Sequence, residues 1–434
     1  MKRLQLLLLQ LAFGISFLLI SADLFSQGLV DYVYKSNIHT VRFNVAGASI
    51  LSMPVYRLNS GDQLNLSFDD MDADVKSYYY TYELCDYNWQ PAQLNVFDYI
   101  QGFTQQQITS YTYSSIAYTH YTHYNITLPD PGAMPQLSGN YIVKVFLDGD
   151  TSQVVFTRRM LVVENKSSVA GQVVPPFASE IAHTHQRIRF DVNVNGLDMF
   201  DAGQQIKVIV LQNNRWDNAI GNIPPTFIRG SSLNYDNENE FVFPGGKEWR
   251  WLDLRSLRLQ SDREQSLFIG KDKTVVYVRP DIDRSAQKYV YYNDLNGEYS
   301  LQNFDNFDSS YQADYATAHF SFLPPGQVPY DGKDLYLIGR LTDYVLSEAT
   351  KMTFNPAKGD YEISEFLKQG FYNYGYLLVD KADPTKRTEL DGNYFETENS
   401  YTILVYYRSF SDRNDRLIGL STINSRNQRA GTSF

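Results

Sequence analysis

The densest group of residues that could bind a metal is an acidic run, Asp69-Asp70-Met71-Asp72-Ala73-Asp74. Acids at the alternate positions 70, 72 and 74 resemble the start of a calcium-binding loop, where carboxylate oxygens coordinate the ion. The resemblance stops at Val75, where such a loop needs a glycine, and at Thr81, where it needs a bidentate acid. The sequence therefore favours an acidic junction between a strand and a loop and predicts no metal site. An irregular calcium loop over Asp69–Asp74 is the open alternative.

Histidines offer a second possible set of metal ligands. His183 and His185 would share one face if their segment is a strand. Zinc needs a third or fourth donor, and the single cysteine, Cys85, is far away in the sequence. His120 and His123 flank a tyrosine-rich stretch and have no better partners. We therefore expect these histidines to be polar residues at the surface.

The sequence predicts no catalytic and no cofactor-binding residue. Cys85 follows an apolar-polar alternation, and no neighbouring base or oxyanion donor marks it as a nucleophile, so we expect a buried, inert thiol. The Gly-x-Ser-x-Gly motif, the P-loop and the dinucleotide-binding glycine pattern are all absent from the sequence. The paired carboxylates of a glycoside hydrolase are defined by distance in space, and no such pair stands out here.

Two aromatic segments could recognise a ligand or a partner. Alternation along Trp249–Arg258 separates one face (Arg250, Leu252, Leu254, Ser256, Arg258) from the other (Trp249, Trp251, Asp253, Arg255, Leu257). Exposed tryptophans beside an arginine would form a recognition hot spot. A core strand whose arginines extend to solvent is the simpler interpretation. Phe371–Tyr376 could likewise stack on sugars, but a tyrosine-rich strand explains it more simply.

The elements that carry these residues are predicted to be short β-strands. Period-two alternation of apolar and polar residues recurs along the chain, over segments 63–68, 141–146, 188–194, 205–211, 274–279, 316–322, 334–338 and 402–407, with a final strand within 415–425. The dipeptides Asp148-Gly149, Asn296-Gly297 and Asp391-Gly392, and the tripeptide Lys358-Gly359-Asp360, favour tight turns. Helical periodicity is confined to a possible short turn at Ile363–Lys368. This pattern predicts an all-β protein of immunoglobulin-like β-sandwiches.

Breaks in the pattern divide the chain into about three tandem sandwiches. The segment from Asn165 to Pro176 ends one strand-rich block, and the segment from Pro324 to Gly332 ends a second. We therefore expect sandwiches over residues 27–165, 166–322 and 323–434, each large enough for a hydrophobic core. The lone cysteine cannot form an internal disulfide, so these cores must provide the stability.

The first residues have the layout of a secretory signal peptide. Met1-Lys2-Arg3 is a cationic start, Leu4–Ile20 is almost continuously apolar, and small residues lead to a predicted cleavage after Ser26. An uncleaved membrane anchor is the alternative interpretation. Loss of residues 1–26 removes two cations and one anion, so the formal charge of −11 becomes −12. An acidic protein repels nucleic acid and anionic lipid, so neither is an expected partner. Beyond residue 26 no segment predicts a membrane-spanning helix.

Several segments together resemble the plug-protein family of the type IX secretion system. They are residues 67–80, 85–91, 139–141, 157–160, 251–258, 294–297, 314–315, 318–320 and 335–339, which are spread over almost the whole mature chain. Members of that family are periplasmic β-sandwich proteins that associate with a very large outer-membrane β-barrel translocon. The resemblance implies a non-enzymatic component that docks on the periplasmic side of the barrel and plugs its opening, with no cofactor. It identifies no residues that contact the barrel.

Two other functions stay open at the level of the sequence. The third block also resembles early-set, glycogen-binding-type sandwiches, although no tryptophan follows Trp251 to form a starch-binding face. A carbohydrate-binding module of an exported polysaccharide system predicts an exposed aromatic platform in that block. A secreted hydrolase predicts a pocket with two facing carboxylates whose pKa values are perturbed.

Overall fold

Alternating apolar and polar residues form paired sheets throughout the protein. The computed structural model describes residues 30–49, 51–194, 196–197, 199–271, 273–305 and 308–427. In these ranges the chain forms three β-sandwiches, and none of their sheets closes into a barrel. This confirms the predicted all-β fold. The predicted signal peptide, residues 1–26, lies outside the described residues.

The first sandwich contains twelve strands in the described part of the chain. They are β1 (Tyr32–Val33), β2 (Ile38–Val45), β3 (Val55–Arg57), β4 (Leu64–Asp70), β5 (Tyr78–Cys85), β6 (Ile100–Gly102), β7 (Gln106–Gln107), β8 (Tyr111–Tyr113), β9 (Thr122–Leu128), β10 (Ala133–Pro135), β11 (Gly139–Leu147) and β12 (Val154–Val163). One sheet has the order β1-β12-β11-β5-β7, with β3 beside β12, and the other has the order β2-β4-β9-β8. Inward residues of β4, such as Leu66, pack against inward residues of β11, such as Val143.

The second sandwich begins with β13 (Ser168–Val174), β14 (His185–Asn193), β15 (Ile206–Gln212), β16 (Ile220–Gly221), β17 (Phe227–Arg229), β18 (Ser232–Tyr235) and β19 (Val242–Pro244). A one-turn helix, α1 (Ala202–Gln205), leads into β15. The sheet β13-β14-β18-β17, with β19 also on β14, faces a second sheet that starts as β16-β15. Two strands from later in the sequence complete that second sheet.

The third sandwich is formed by the next eleven strands. They are β20 (Arg250–Asp253), β21 (Glu264–Ile269), β22 (Thr274–Val278), β23 (Asp281–Ile282), β24 (Tyr299–Leu301), β25 (Tyr315–Leu323), β26 (Lys333–Ile338), β27 (Thr353–Asn355), β28 (Asp360–Lys368), β29 (Gly370–Asp380) and β30 (Arg387–Glu389). One sheet has β29 at its centre, and the other has the order β21-β22-β25-β28-β27. Short 3-10 helices occur at Val96–Asp98, Pro325–Gln327 and Arg340–Thr342.

The last two strands return to the second sandwich. β31 (Ser400–Tyr407) pairs with β15 along its whole length, and β32 (Arg416–Asn424) pairs with β31. The second core therefore joins residues 169–243 to residues 401–423, whereas the third core uses only residues 252–390. The expected boundaries 166–322 and 323–434 are wrong, because the third sandwich is inserted between β19 and β31 of the second. Local alternation identifies strands but not the strands with which they pair.

One local prediction is also wrong. The possible helical turn at Ile363–Lys368 is the second half of β28, which pairs with β25. Ile363 and Leu367 face the third core, and a spacing of four residues fits the inward face of a strand as well as a helix. The turn prediction at Asp148-Gly149 holds, since both residues have positive φ between β11 and β12.

Candidate functional site

A buried charge cluster joins the first sandwich to the third, and its centre is Asp69 from the acidic run. Lys368 Nζ lies 2.6 Å from Asp69 Oδ2, and neither side chain is exposed. His123 Nδ1 lies 2.6 Å from Asp69 Oδ1, and the Tyr315 hydroxyl donates to Oδ2 at 2.5 Å. Burial alone would raise the pKa of Asp69, but the charge of Lys368 and the contact with His123 hold this pKa below its usual value.

Strand register brings the members of this cluster together. Asp69 lies opposite His123 on β9, so the two side chains share one face of the first sandwich. Lys368 ends β28 and lies opposite Tyr315, the first residue of β25. Lys368 Nζ also donates to the carbonyl of Ser310 at 2.5 Å and sits 4.3 Å from the centre of the Tyr121 ring. These partners compensate the ammonium group for the loss of water.

The other acids of the run are occupied by a single lysine. Lys76 Nζ lies 2.7 Å from Asp70, 2.6 Å from Asp72 and 3.1 Å from Asp74. Asp70 also accepts hydrogen bonds from Tyr78 and Asn37. Among the described residues, no group of three or more His, Cys, Asp or Glu side chains is arranged to hold a metal ion.

The histidines do not form the arrangement that the sequence suggested. His185 begins β14, but His183 lies in the turn before it, so the two do not share a strand face. Their segment folds as turns because Thr184 and His185 both donate to the carbonyl of Ile181. His120 is exposed, whereas His123 belongs to the buried charge cluster.

Cys85 is fully buried at the end of β5. Burial raises the pKa of its thiol to about 12. The reactive thiolate is therefore scarce at neutral pH. This agrees with the expectation of a buried, inert cysteine.

The two aromatic segments are parts of the third core. Trp249 and Trp251 are half-buried, and Trp251 packs edge-on against Tyr292. Between them, Arg250 is buried and forms ion pairs with Asp281 and Asp391 at 2.7 and 2.6 Å. The tyrosines of Phe371–Tyr376 are also buried, and Tyr374 and Tyr376 donate to Asp281. Both segments contribute strands to the core, as the simpler interpretation expected, but Arg250 is buried in ion pairs and does not extend to solvent.

A polar cavity of about 370 Å³ lies between the second and third sandwiches and bears on the hydrolase alternative. Burial raises the pKa of Asp294, which lines it, to about 6. Both oxygens of Asp294 already accept backbone hydrogen bonds, from Trp249 at 2.5 Å and from Asn296 at 2.8 Å. Glu398, another lining carboxylate, is hydrogen-bonded to Asn296 and Asn424. The hydrogen bonds of Asp294 and Glu398 therefore support a role in holding neighbouring chain segments together and do not favour the hydrolase alternative.

Further contacts between sandwiches were not foreseen from the sequence. Arg158 on β12 pairs with Asp343 of the third sandwich at 2.8 Å, and the arginine is almost fully buried. Glu164 pairs with Arg416 on β32. Burial opposes ionisation of Glu164, but hydrogen bonds from Arg416, Lys166 and Ser138 lower its pKa to about 2.

An apolar layer also fixes the first sandwich to the second. It consists of Val55, Leu161, Val163, Ile209, Leu211, Leu404, Tyr406 and Leu417, all buried. Beside this layer, Trp89 of the first sandwich and Trp216 of the second lie edge to face at 4.9 Å. The guanidinium of Arg159 contacts both rings. The sequence contains one signal for this layer, the apolar residues on the outward faces of β12, β15 and β31. Strands that are buried on both faces lose the alternation of apolar and polar residues.

Within the described ranges, no helix is both long and apolar enough to cross a membrane.

Comparison with protein families identifies the first sandwich. Residues 38–164 match the family model described as "Type 9 secretion system plug protein 1st domain". The first sandwich is therefore similar to the first domain of type 9 plug proteins. The match confirms the resemblance found in the sequence, and its bounds agree with a first sandwich that ends near residue 165. This domain match supports a role associated with type 9 secretion.

The chain as a whole also resembles a solved structure. A hypothetical protein from Parabacteroides merdae ATCC 43184 is 29% identical, with a TM-score of 0.87. The similarity covers 92% of this chain and 100% of the other, so all three sandwiches recur there. No curated protein matches the sequence of this chain.

Proposed function

We propose that this protein docks on the periplasmic side of the type 9 outer-membrane translocon barrel and closes its opening while no substrate passes, without catalysing a reaction. The observation that carries the proposal is that the plug domain is fixed to both other sandwiches. The Asp69–Lys368 pair and the apolar layer around Leu161 and Leu404 supply the connections. A rigid body can block a wide pore through its shape alone.

A group of exposed phenylalanines is where we expect the barrel to bind. Phe200 is 91% exposed and Phe410 67% exposed, with ring centres 6.2 Å apart. Phe97, in the plug domain, is 71% exposed, and its loop reaches theirs through the Asp98–Arg413 contact at 3.5 Å. Exposed apolar groups of this kind mark protein interfaces. Because one member of the group, Phe97, belongs to the plug domain, we expect the partner at this surface to be the translocon.

The first experiment is a pull-down of the tagged protein from its native outer membrane in mild detergent, with partners identified by mass. We expect a very large β-barrel protein in near-equal amount. The triple variant Phe97→Ser, Phe200→Ser and Phe410→Ser should lose it. Recovery of no barrel with the wild-type protein would overturn the proposal.

A matched control uses three exposed apolar residues of the third sandwich, Leu259, Val290 and Phe304. Their triple serine variant should retain the barrel. Closure itself is tested by the uptake of a large antibiotic that an intact outer membrane excludes. Cells without the protein should admit the antibiotic, and the control variant should restore exclusion. Unchanged uptake in cells without the protein would show that the barrel is closed by something else.

A further inference from the structure

The outer face of one third-sandwich sheet is only partly covered. At one end, the row formed by Tyr315 and Lys368 is buried against the first sandwich. Beyond that end, a groove of about 720 Å³ runs over β22, β25 and β28. Strand register places four side chains in one row across it: Ser266, Tyr277, His319 and Ser364.

An aromatic ring forms one wall of this groove. Tyr277 is 46% exposed and stacks on His319 with ring centres 4.8 Å apart and planes 17° apart. His319 is held in turn by Ser364, whose hydroxyl lies 2.6 Å from Nδ1. Phe268, 57% exposed, lies diagonally from Tyr277 on the neighbouring strand β21. A ring fixed in this way offers an apolar face beside polar side chains, the combination that binding sites use to orient a ligand.

One oxygen of a carboxylate in the groove lacks a hydrogen-bond partner. Asp360 lines the groove with only 7% of its surface exposed, and its Oδ1 atom is buried without a donor. Buried acceptors are nearly always satisfied, so an orphan of this kind points to a missing donor. Burial, with the nearby charge of Glu362, raises the pKa of Asp360.

The charges in the groove limit what can bind. Lys358 is paired with Glu362, which also accepts a hydrogen bond from Asn355. Because Glu362 already neutralises Lys358 and Asp360 adds a further carboxylate, the groove has no surplus positive charge. Anionic ligands such as phosphates or uronic acids are disfavoured, because a buried carboxylate would repel them. Hydroxyl groups suit the site, since they can donate to Asp360 and exchange hydrogen bonds with the groove's serines.

We propose that this groove binds a neutral oligosaccharide, with one sugar ring stacked on Tyr277 and a hydroxyl donating to Asp360. A pyranose ring has an apolar C–H face and a rim of hydroxyls, which matches an aromatic wall bordered by polar side chains. This site is separate from the phenylalanine group and does not rest on the proposed function.

The test is calorimetric titration of the full-length mature protein with maltohexaose, chitohexaose and, as the anionic probe, a hyaluronan hexasaccharide. We expect at least one neutral probe to bind and the anionic probe not to bind. Tyr277→Ala should weaken binding about ten-fold or more, whereas Tyr277→Phe, which keeps the ring, should stay within about three-fold of wild type. Asp360→Asn, which keeps the shape but not the charge, should weaken binding about three-fold or more.

Tyr111→Ala is the matched control, because Tyr111 is 44% exposed on the first sandwich. It should bind the neutral probe as the wild type does. No binding of either neutral probe at millimolar concentration would overturn the proposal, as would preference for the anionic probe or equal effects of Tyr277→Ala and Tyr111→Ala. If Tyr277→Ala instead lowered recovery of a membrane protein with no sugar bound, the groove would be a protein interface.

Discussion

Charged residues at the joints between sandwiches are buried and paired. Asp69 and Lys368 come from different sandwiches, and each would be costly to bury without the other. Arg158 and Asp343 repeat the arrangement across the same joint. Ion pairs of this kind require one geometry, because a small displacement leaves a charge without its partner. They therefore fix the orientation of the plug domain relative to the third sandwich.

Substitution of the buried lysine tests this joint. Lys368→Met should lower the free energy of unfolding by about 3–5 kcal/mol, because it leaves Asp69 buried with a weaker partner. Urea unfolding followed by circular dichroism would measure the change. The control is Lys386→Met, since Lys386 is 75% exposed and pairs only with a surface acid; its effect should be within about 0.5 kcal/mol. Similar values for the two variants would contradict the role of the pair.

The joint between the first and second sandwiches should be sensitive to acid. The folded pKa of Glu164, about 2, lies below its ordinary value of 4.5. The carboxylate therefore stabilises the fold above pH 4.5, and this contribution is lost as the pH falls toward 2. Between pH 6 and pH 3, wild type should lose about 1–3 kcal/mol more stability than Glu164→Gln. Urea unfolding of both proteins at pH 6 and pH 3 would measure this difference. Equal losses of stability in wild type and Glu164→Gln would contradict the prediction.

Some properties of single residues could be predicted from the sequence, and others could not. The strand that carries Asp69 could be predicted, and so could the buried state of Cys85. The partner of Asp69 could not, because Lys368 lies in a different sandwich and a lysine at a strand end normally faces water. Similarly, the orphan oxygen of Asp360 depends on the packing around β28, which has no signature in local sequence.

At the scale of elements, the two chain segments that connect the second and third sandwiches run side by side. Tyr394 donates from its backbone to Gly246, and the Asn393 side chain accepts from the Gly246 amide. Gly245 sits at the closest approach, where an added Cβ would lie 2.1 Å from the carbonyl oxygen of Tyr394. A glycine is required here by contact between backbones.

Gly245→Ala should therefore push the two connecting segments apart. We expect a loss of about 1–3 kcal/mol in unfolding free energy, the usual cost of forcing extra volume into a packed region. Limited proteolysis should also cut the chain faster near residues 245 and 394. Gly61→Ala is the matched control, because no atom lies within 4 Å of its added Cβ. Equal stability of the two variants would contradict a tight connection.

Most strands could be predicted from period-two alternation, and their bounds agree with the structure to within a residue or two in cases such as β15 and β26. The insertion could not be predicted in the same way. Alternation reports which face of a strand is buried, whereas the choice of β31 as the partner of β15 depends on contacts far apart in sequence. The break at Pro324–Gly332 is a loop within the third sandwich, so a composition break alone does not mark a domain boundary.

For the whole molecule, the insertion makes the second sandwich depend on the end of the chain. A protein that stops after residue 398 lacks β31 and β32, which supply half of one sheet and several residues of the second core. Hydrogen exchange should then show loss of protection in β14, while β25 of the third sandwich stays protected as an internal control. Wild-type protection of β14 in the truncated protein would show that the second core forms without them.

The order in which parts of the chain become available has a consequence for how this protein folds. An exported chain emerges from the membrane with its N-terminal part first, so the third sandwich can fold while the second still lacks β31 and β32. Until then β15 has an open edge, and open edges attract other strands. Pairing residues 206–212 with 401–407 is also a slow, long-range step. The emerging protein should therefore be most prone to aggregation just before residues 400–424 become available.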